Sequence, residues 1–104
     1  MDWNPEELVT WKGAKLLSRP DLETRELKGH KTPQHIGRGE FSIEHNGEVR
    51  KIIIGAYYWD AAVEQFDTIQ GDVVDVIFLP YPWSLGHRRG IQFYFYKIAN
   101  QGEL

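Results

Sequence analysis

Residues 72–98 read DVVDVIFLPYPWSLGHRRGIQFYFYKI. Val73 to Leu79 is almost wholly apolar and reads as a buried strand, with Pro80 and Pro82 as its stop. Gly90 to Ile98 alternates: Ile91, Phe93 and Phe95 fall on one face, Gln92, Tyr94 and Tyr96 on the other. The loop expected between these strands carries Tyr81, Trp83 and the pair Arg88-Arg89. Aromatic faces stack on unpaired bases, and guanidinium groups pair with phosphate or lie over rings. Such a loop suits a single-stranded nucleic acid, and equally a protein partner.

Upstream, Asn46-Gly47 suits a two-residue hairpin turn with both residues at positive φ. It joins a strand in Ile36–His45 to one in Glu48–Tyr57, where Val49, Ile52 and Ile54 are β-branched. Gly37 and Gly39 mark a bulge or tight bend in the first. After it, Asp60 is placed to cap a short helix in which Ala62, Val63, Phe66 and Ile69 share a face. Trp11 to Leu17 reads as the first strand, and residues 18–34, punctuated by Pro20, Gly29 and Pro33, as a long polar loop. Asn4-Pro5-Glu6-Glu7 predicts a helical turn within residues 1–10, and residues 99–104 a frayed tail. The order predicts a mainly β domain spanning residues 1–104: a five-stranded, OB-fold-like barrel with a short helix between strands 3 and 4.

A chain of 104 residues suffices for one domain. Cysteine is absent, which excludes disulfides and thiolate metal sites. The four histidines show no metal-ligand spacing, and no Gly-x-Ser-x-Gly, Walker or dinucleotide motif occurs, so no cofactor, metal or catalytic group is expected. The start lacks the basic and apolar regions of a signal peptide and no apolar run is long enough to span a bilayer, which predicts a cytoplasmic protein without a membrane. The net charge of −3 argues against nucleic acid. It is unevenly spread, however. Lys28–Lys51 holds five Lys or Arg against three Glu, whereas Asp60–Asp75 holds five acids and no Lys or Arg.

Residues 35–98 resemble the OB domain of the RecJ single-strand-specific DNA exonucleases. The resemblance rests on His35 with its following strand, the Asn46-Gly47 hairpin, a third strand ending in aromatics, Gly71-Asp72-Val73-Val74-Asp75-Val76, and Arg88-Arg89-Gly90-Ile91-Gln92. It covers about the last two thirds of the chain; the first third departs from it, mainly through the long polar loop. In that family the domain helps hold single-stranded DNA near a phosphoesterase core. The core's Asp-His-His and Gly-Gly-His motifs are absent. The resemblance therefore implies a grip without the chemistry, with a nuclease core or another protein as a further partner.

The residues expected to bind nucleic acid, DNA or RNA, are Arg38, Arg50, Arg88 and Arg89 for phosphates and Trp83, Tyr94 and Tyr58 for bases. Each has a plainer reading. Tyrosines and tryptophans are often mostly buried, and one of Tyr57, Tyr58 and Trp59 must turn inward. Arg88 and Arg89 suit a solvated turn as well. Arg50 and Lys51 alternate, so only one of them can face a ligand. The competing function is a protein-interaction barrel that binds no nucleic acid, which the acidic balance favours.

Overall fold

The computed structural model describes residues 7–100. Seven strands and one α-helix follow in order: β1 (Val9–Leu16), β2 (Glu23–Arg25), β3 (Gln34–Ile36), β4 (Glu40–His45), β5 (Glu48–Ile53), α1 (Trp59–Thr68), β6 (Val73–Leu85) and β7 (Arg88–Asn100). Five strands close into a barrel in the order β1-β4-β5-β7-β6, β6 returning to pair with β1. All neighbours are antiparallel except β5 and β7, which run parallel through Ile52↔Phe93 and Ile53↔Tyr94. β2 and β3 form a separate two-stranded ribbon.

Alternation fills the barrel. Phe41, Ile43, Ile52, Val74, Val76, Phe78 and Phe95 are fully buried, each from a strand whose intervening residues face out. Helix α1 closes one mouth: Phe66 packs edge-on against Phe41, with ring centroids 4.9 Å apart, and Gln65 Oε1 accepts the Ile98 N–H at 2.7 Å. Ala62 and Ile69 are buried on the same face. The opposite mouth is filled by Trp11, which stacks on His45 and meets Phe78 edge-on.

The Asn46-Gly47 turn is present with both residues at positive φ (51° and 81°). Several other expectations shift. Between Leu16 and Glu40 the chain is no plain loop, because β2 pairs with β3 and the ribbon packs on the start of α1. Trp59 Nε1 donates to the Glu23 carbonyl at 3.2 Å, His35 stacks on the Trp59 ring, and Thr24 Oγ1 donates to Asp60 Oδ1 at 2.9 Å. The helix, expected between the third and fourth strands, follows the fifth in chain order because this ribbon adds two. Helix α1 starts at Trp59, one residue before the expected cap. The helical turn expected at Asn4–Glu7 lies outside the described residues save for Glu7. Of the tail, Ala99 and Asn100 belong to β7 and the remainder lies outside the described residues.

The largest difference concerns the prolines. Pro80 and Pro82 do not end β6; the strand runs on to Leu85, pairs with β7 throughout, and turns through Gly86-His87. Gly86 has φ 61° and His87 is not at positive φ, as a type II′ hairpin turn requires. Counting outward from that turn, Leu85↔Arg88, Trp83↔Gly90 and Tyr81↔Gln92 are the hydrogen-bonded pairs. Pro80 and Pro82 fall in the alternate pairs, where a residue's N–H points away from β7. Neither ring removes a bond from the ladder.

Candidate nucleic-acid interface

Beyond Leu79 the paired strands β6 and β7 project from the barrel as a two-stranded arm with two distinct faces. The face continuous with the barrel interior carries Pro80, Pro82 and Ser84 opposite Phe93, Ile91 and Arg89. The face continuous with the barrel exterior carries Tyr81, Trp83 and Leu85 opposite Gln92, Gly90 and Arg88, with Tyr94 at the base.

The exterior face gathers the aromatics. Tyr81 meets Tyr94 edge-on at 5.9 Å. Trp83, 38% exposed, lies flat enough over Gly90 that a Cβ there would sit 2.7 Å from its indole. Two residues along β7 from Tyr94, Tyr96 meets Tyr58, which in turn meets Tyr57. The stripe thus runs from the 3-10 turn Ala56–Tyr58 to the arm's tip. Tyr57 and Tyr81 are 70% and 53% exposed. Tyr94 Oη donates to Gln92 Oε1 at 2.7 Å, which holds the ring along the strand. Phe93 and Phe95 take the inward positions, so the partition of the last strand follows the alternation.

The cations are dispersed. Arg88 opens β7 on the aromatic face, whereas Arg89, one residue on, faces the interior side. Among the described residues neither has a carboxylate partner. Arg38 lies in the bend before β4, at the barrel end where β5 finishes and far from the arm, which grows from the end where β5 begins. Its carbonyl accepts the Asp21 and Glu40 N–H groups. Arg50 points toward the barrel axis. Its guanidinium lies over Phe93 at 4.4 Å and Trp11 at 4.8 Å, and binds Glu48 at 2.6 Å. Of the alternating pair it is Lys51, 3.5 Å from Glu40, that shares the outer side of β5 with Ile53 beside Tyr94.

Of the seven residues expected at the interface, the fold brings Trp83, Tyr94 and Arg88 onto one face, with Tyr58 at its far end. It separates Arg38, Arg50 and Arg89 from them. Tyr81, Tyr96 and Lys51 join that face instead. Their signal was in the sequence: Tyr96 shares the parity of Tyr94, and Lys51 has the opposite parity to the buried Ile52.

Charge is segregated in space as well as in sequence. Asp60, Glu64 and Asp67 are exposed on α1 at one barrel end, while His87, Arg88 and Arg89 are exposed at the arm's tip beyond the other. Among the described residues no group of three or more His, Asp or Glu side chains is placed to hold a metal ion, and no helix is long and apolar enough to cross a membrane. Set against protein-family models, curated proteins and solved structures, the chain matches none.

Proposed function

We propose that this chain is a non-catalytic module that binds single-stranded nucleic acid on an OB-fold-like barrel, as the RecJ resemblance implies. The strand order β1-β4-β5-β7-β6, with its one parallel contact and a helix after β5, supports that fold once β2 and β3 are counted as an insertion in the first connection. One observation carries the functional reading: Trp83, Tyr81 and Tyr94 line the outer face of a projecting arm that ends in Arg88, which has no carboxylate partner among the described residues.

An exposed aromatic stripe on a rigid ribbon offers π-faces to bases at little ordering cost, because the rings are already held in place. Bases in a duplex are stacked on one another and cannot reach it, so the surface selects single strands. Stacking tolerates every base, so sequence preference is slight. The negative net charge is compatible with this reading because the acids of α1 lie at the far end of the barrel.

Fluorescence anisotropy with a labelled oligonucleotide tests the proposal. A single strand is expected to bind with micromolar or tighter affinity at low salt, to weaken as salt is raised, and to outcompete its duplex. No binding well into the micromolar range, or equal binding of the duplex, removes it.

A further inference from the structure

The two edges of the arm differ in a way that nucleic-acid binding does not require. Counting from the Gly86-His87 turn, the backbone groups that point outward belong to Pro80, Pro82 and Ser84 on β6, and to Arg89 and Ile91 on β7. Two of the three outward positions on β6 are prolines and carry no N–H, so this edge cannot accept an added strand in register. On β7, Arg89 and Ile91 both present an N–H and a carbonyl. The next outward residue, Phe93, is already paired with Ile52 of β5. Among the described residues, no strand other than β6 pairs with β7 from Arg88 to Gln92.

Exposed strand edges template further pairing, and sheets commonly blunt them with proline or charge. Here one edge is blunted and the other is left open. Beside it lies an open trough of about 750 Å³ lined by Pro82, Ser84, Gly86, Arg89 and Ile91 together with Trp83 and Gly90. Ile91 is 59% exposed although its strand neighbours Phe93 and Phe95 pack into the barrel.

We propose that the β7 edge from Arg88 to Gln92 docks a short, extended, acidic peptide segment that adds as a strand. Main-chain bonds to Arg89 and Ile91 supply affinity, and alternate side chains supply selectivity. One set of the added strand's side chains projects over the trough beside Ile91 and Arg89. The other lies beside Gln92 and Arg88. Arg88 and Arg89 have no carboxylate partner among the described residues, so acidic side chains gain charge-assisted bonds on both faces. Where the open edge ends, at Phe93, Arg50 lies over the ring with its own charge engaged by Glu48. A second copy of this chain is disfavoured, because self-pairing of Arg88–Gln92 puts four arginines and no carboxylate along one short ribbon.

The test uses Ile91→Pro. It removes the outward N–H and leaves the inward ladder untouched, since Ile91 faces Pro82 across the ribbon in the same kind of pair. The probe is a short labelled peptide alternating glutamate with valine, compared with its lysine counterpart. The glutamate peptide is expected to bind the parent chain, to bind Ile91→Pro at least roughly tenfold more weakly, and to protect the Arg89 and Ile91 amides from hydrogen exchange. The lysine peptide is expected not to bind.

Equal binding to parent and variant, equal binding of the lysine peptide, or no binding of the glutamate peptide at millimolar concentration overturns the proposal. So does self-association of the parent chain that Ile91→Pro abolishes, because the edge then belongs to a second copy. Circular dichroism of Ile91→Pro, and its retained oligonucleotide binding, establish that the variant is folded.

Discussion

Tyr81 and Tyr94 meet diagonally across the β6–β7 ladder, with ring centroids 5.9 Å apart and planes at 84°. The contact fixes both rings on the outer side of the arm just where it leaves the barrel. Trp83 lies one rung further out. With antiparallel strands rising about 3.4 Å per residue, successive rungs are about 6.8 Å apart, roughly twice the ~3.4 Å rise between stacked bases. A strand laid along the stripe therefore cannot keep its own stacking and also place one base on each rung.

Replacing Trp83 with alanine tests that surface most directly. The ring is the outermost platform and contributes little to the core, so Trp83→Ala is expected to weaken oligonucleotide binding by about 1–3 kcal/mol. Its stability to urea should change by less than about 1 kcal/mol. An affinity equal to that of the parent chain would sink the stacking role.

The position of the cations predicts an uneven salt response. Removing one phosphate-binding side chain reduces the salt slope of log affinity by about one. Arg88→Gln is expected to reduce it by that amount, because Arg88 shares the aromatic face. Arg38→Gln is expected to leave it unchanged, because Arg38 sits at the opposite end of the barrel. Titrations at several salt concentrations decide the matter, and a slope reduced by Arg38→Gln would mean that the strand takes another path.

Local periodicity was enough for much of this architecture. Asn46-Gly47 announced its turn through two positive-φ residues, and the alternation of Phe93, Tyr94, Phe95 and Tyr96 announced which rings face out. What escaped depended on register. A proline is harmless or fatal to a strand according to which way its missing N–H points, and at Pro80 and Pro82 that is settled by counting from Gly86. The Gly86-His87 pair was itself a legible hairpin signal. Arg50 departs from its expected place for a similar reason: it shares parity with the buried Ile52 and so turns inward, a phase visible once Ile52 is assigned to the core. The β2–β3 ribbon left almost no local trace, since three-residue strands of polar composition are held by tertiary contacts with Trp59 and Asp60.

Arg50 is accordingly expected to act on stability. Its guanidinium lies over the rings of Trp11 and Phe93, with Phe78 further off, and is bound by Glu48, with the side chain only 26% exposed. Cation–π contacts of this partly desolvated kind contribute about 1–2 kcal/mol, and the aliphatic stem adds packing. Arg50→Ala should lower the free energy of unfolding by about that amount, and Arg50→Lys by less. Neither should alter the salt slope of oligonucleotide binding, whereas a phosphate-contacting Arg50 would change it.

The barrel end that carries α1 offers a sharper test through two glycines. Gly39 is held by its carbonyl, which accepts the Ile54 N–H at 2.8 Å, and a Cβ added there would run into the six-membered ring of Trp59. That ring has little room to yield. It is buried, stacked on His35, and tied by its N–H to the Glu23 carbonyl. Gly55 is the contrast: an added Cβ would meet nothing within 4 Å, and its φ of −75° and ψ of 161° suit any residue. Gly39→Ala is therefore expected to cost about 1–3 kcal/mol by overpacking. Gly55→Ala should instead leave stability unchanged, or raise it by about 0.4–1 kcal/mol through the unfolded chain. Because Trp59 also anchors the β2–β3 ribbon, Gly39→Ala should speed hydrogen exchange of the Glu23–Arg25 amides, and Gly55→Ala should not. Equal unfolding free energies for the two variants would mean that the Trp59 ring does not pack against Gly39 as described.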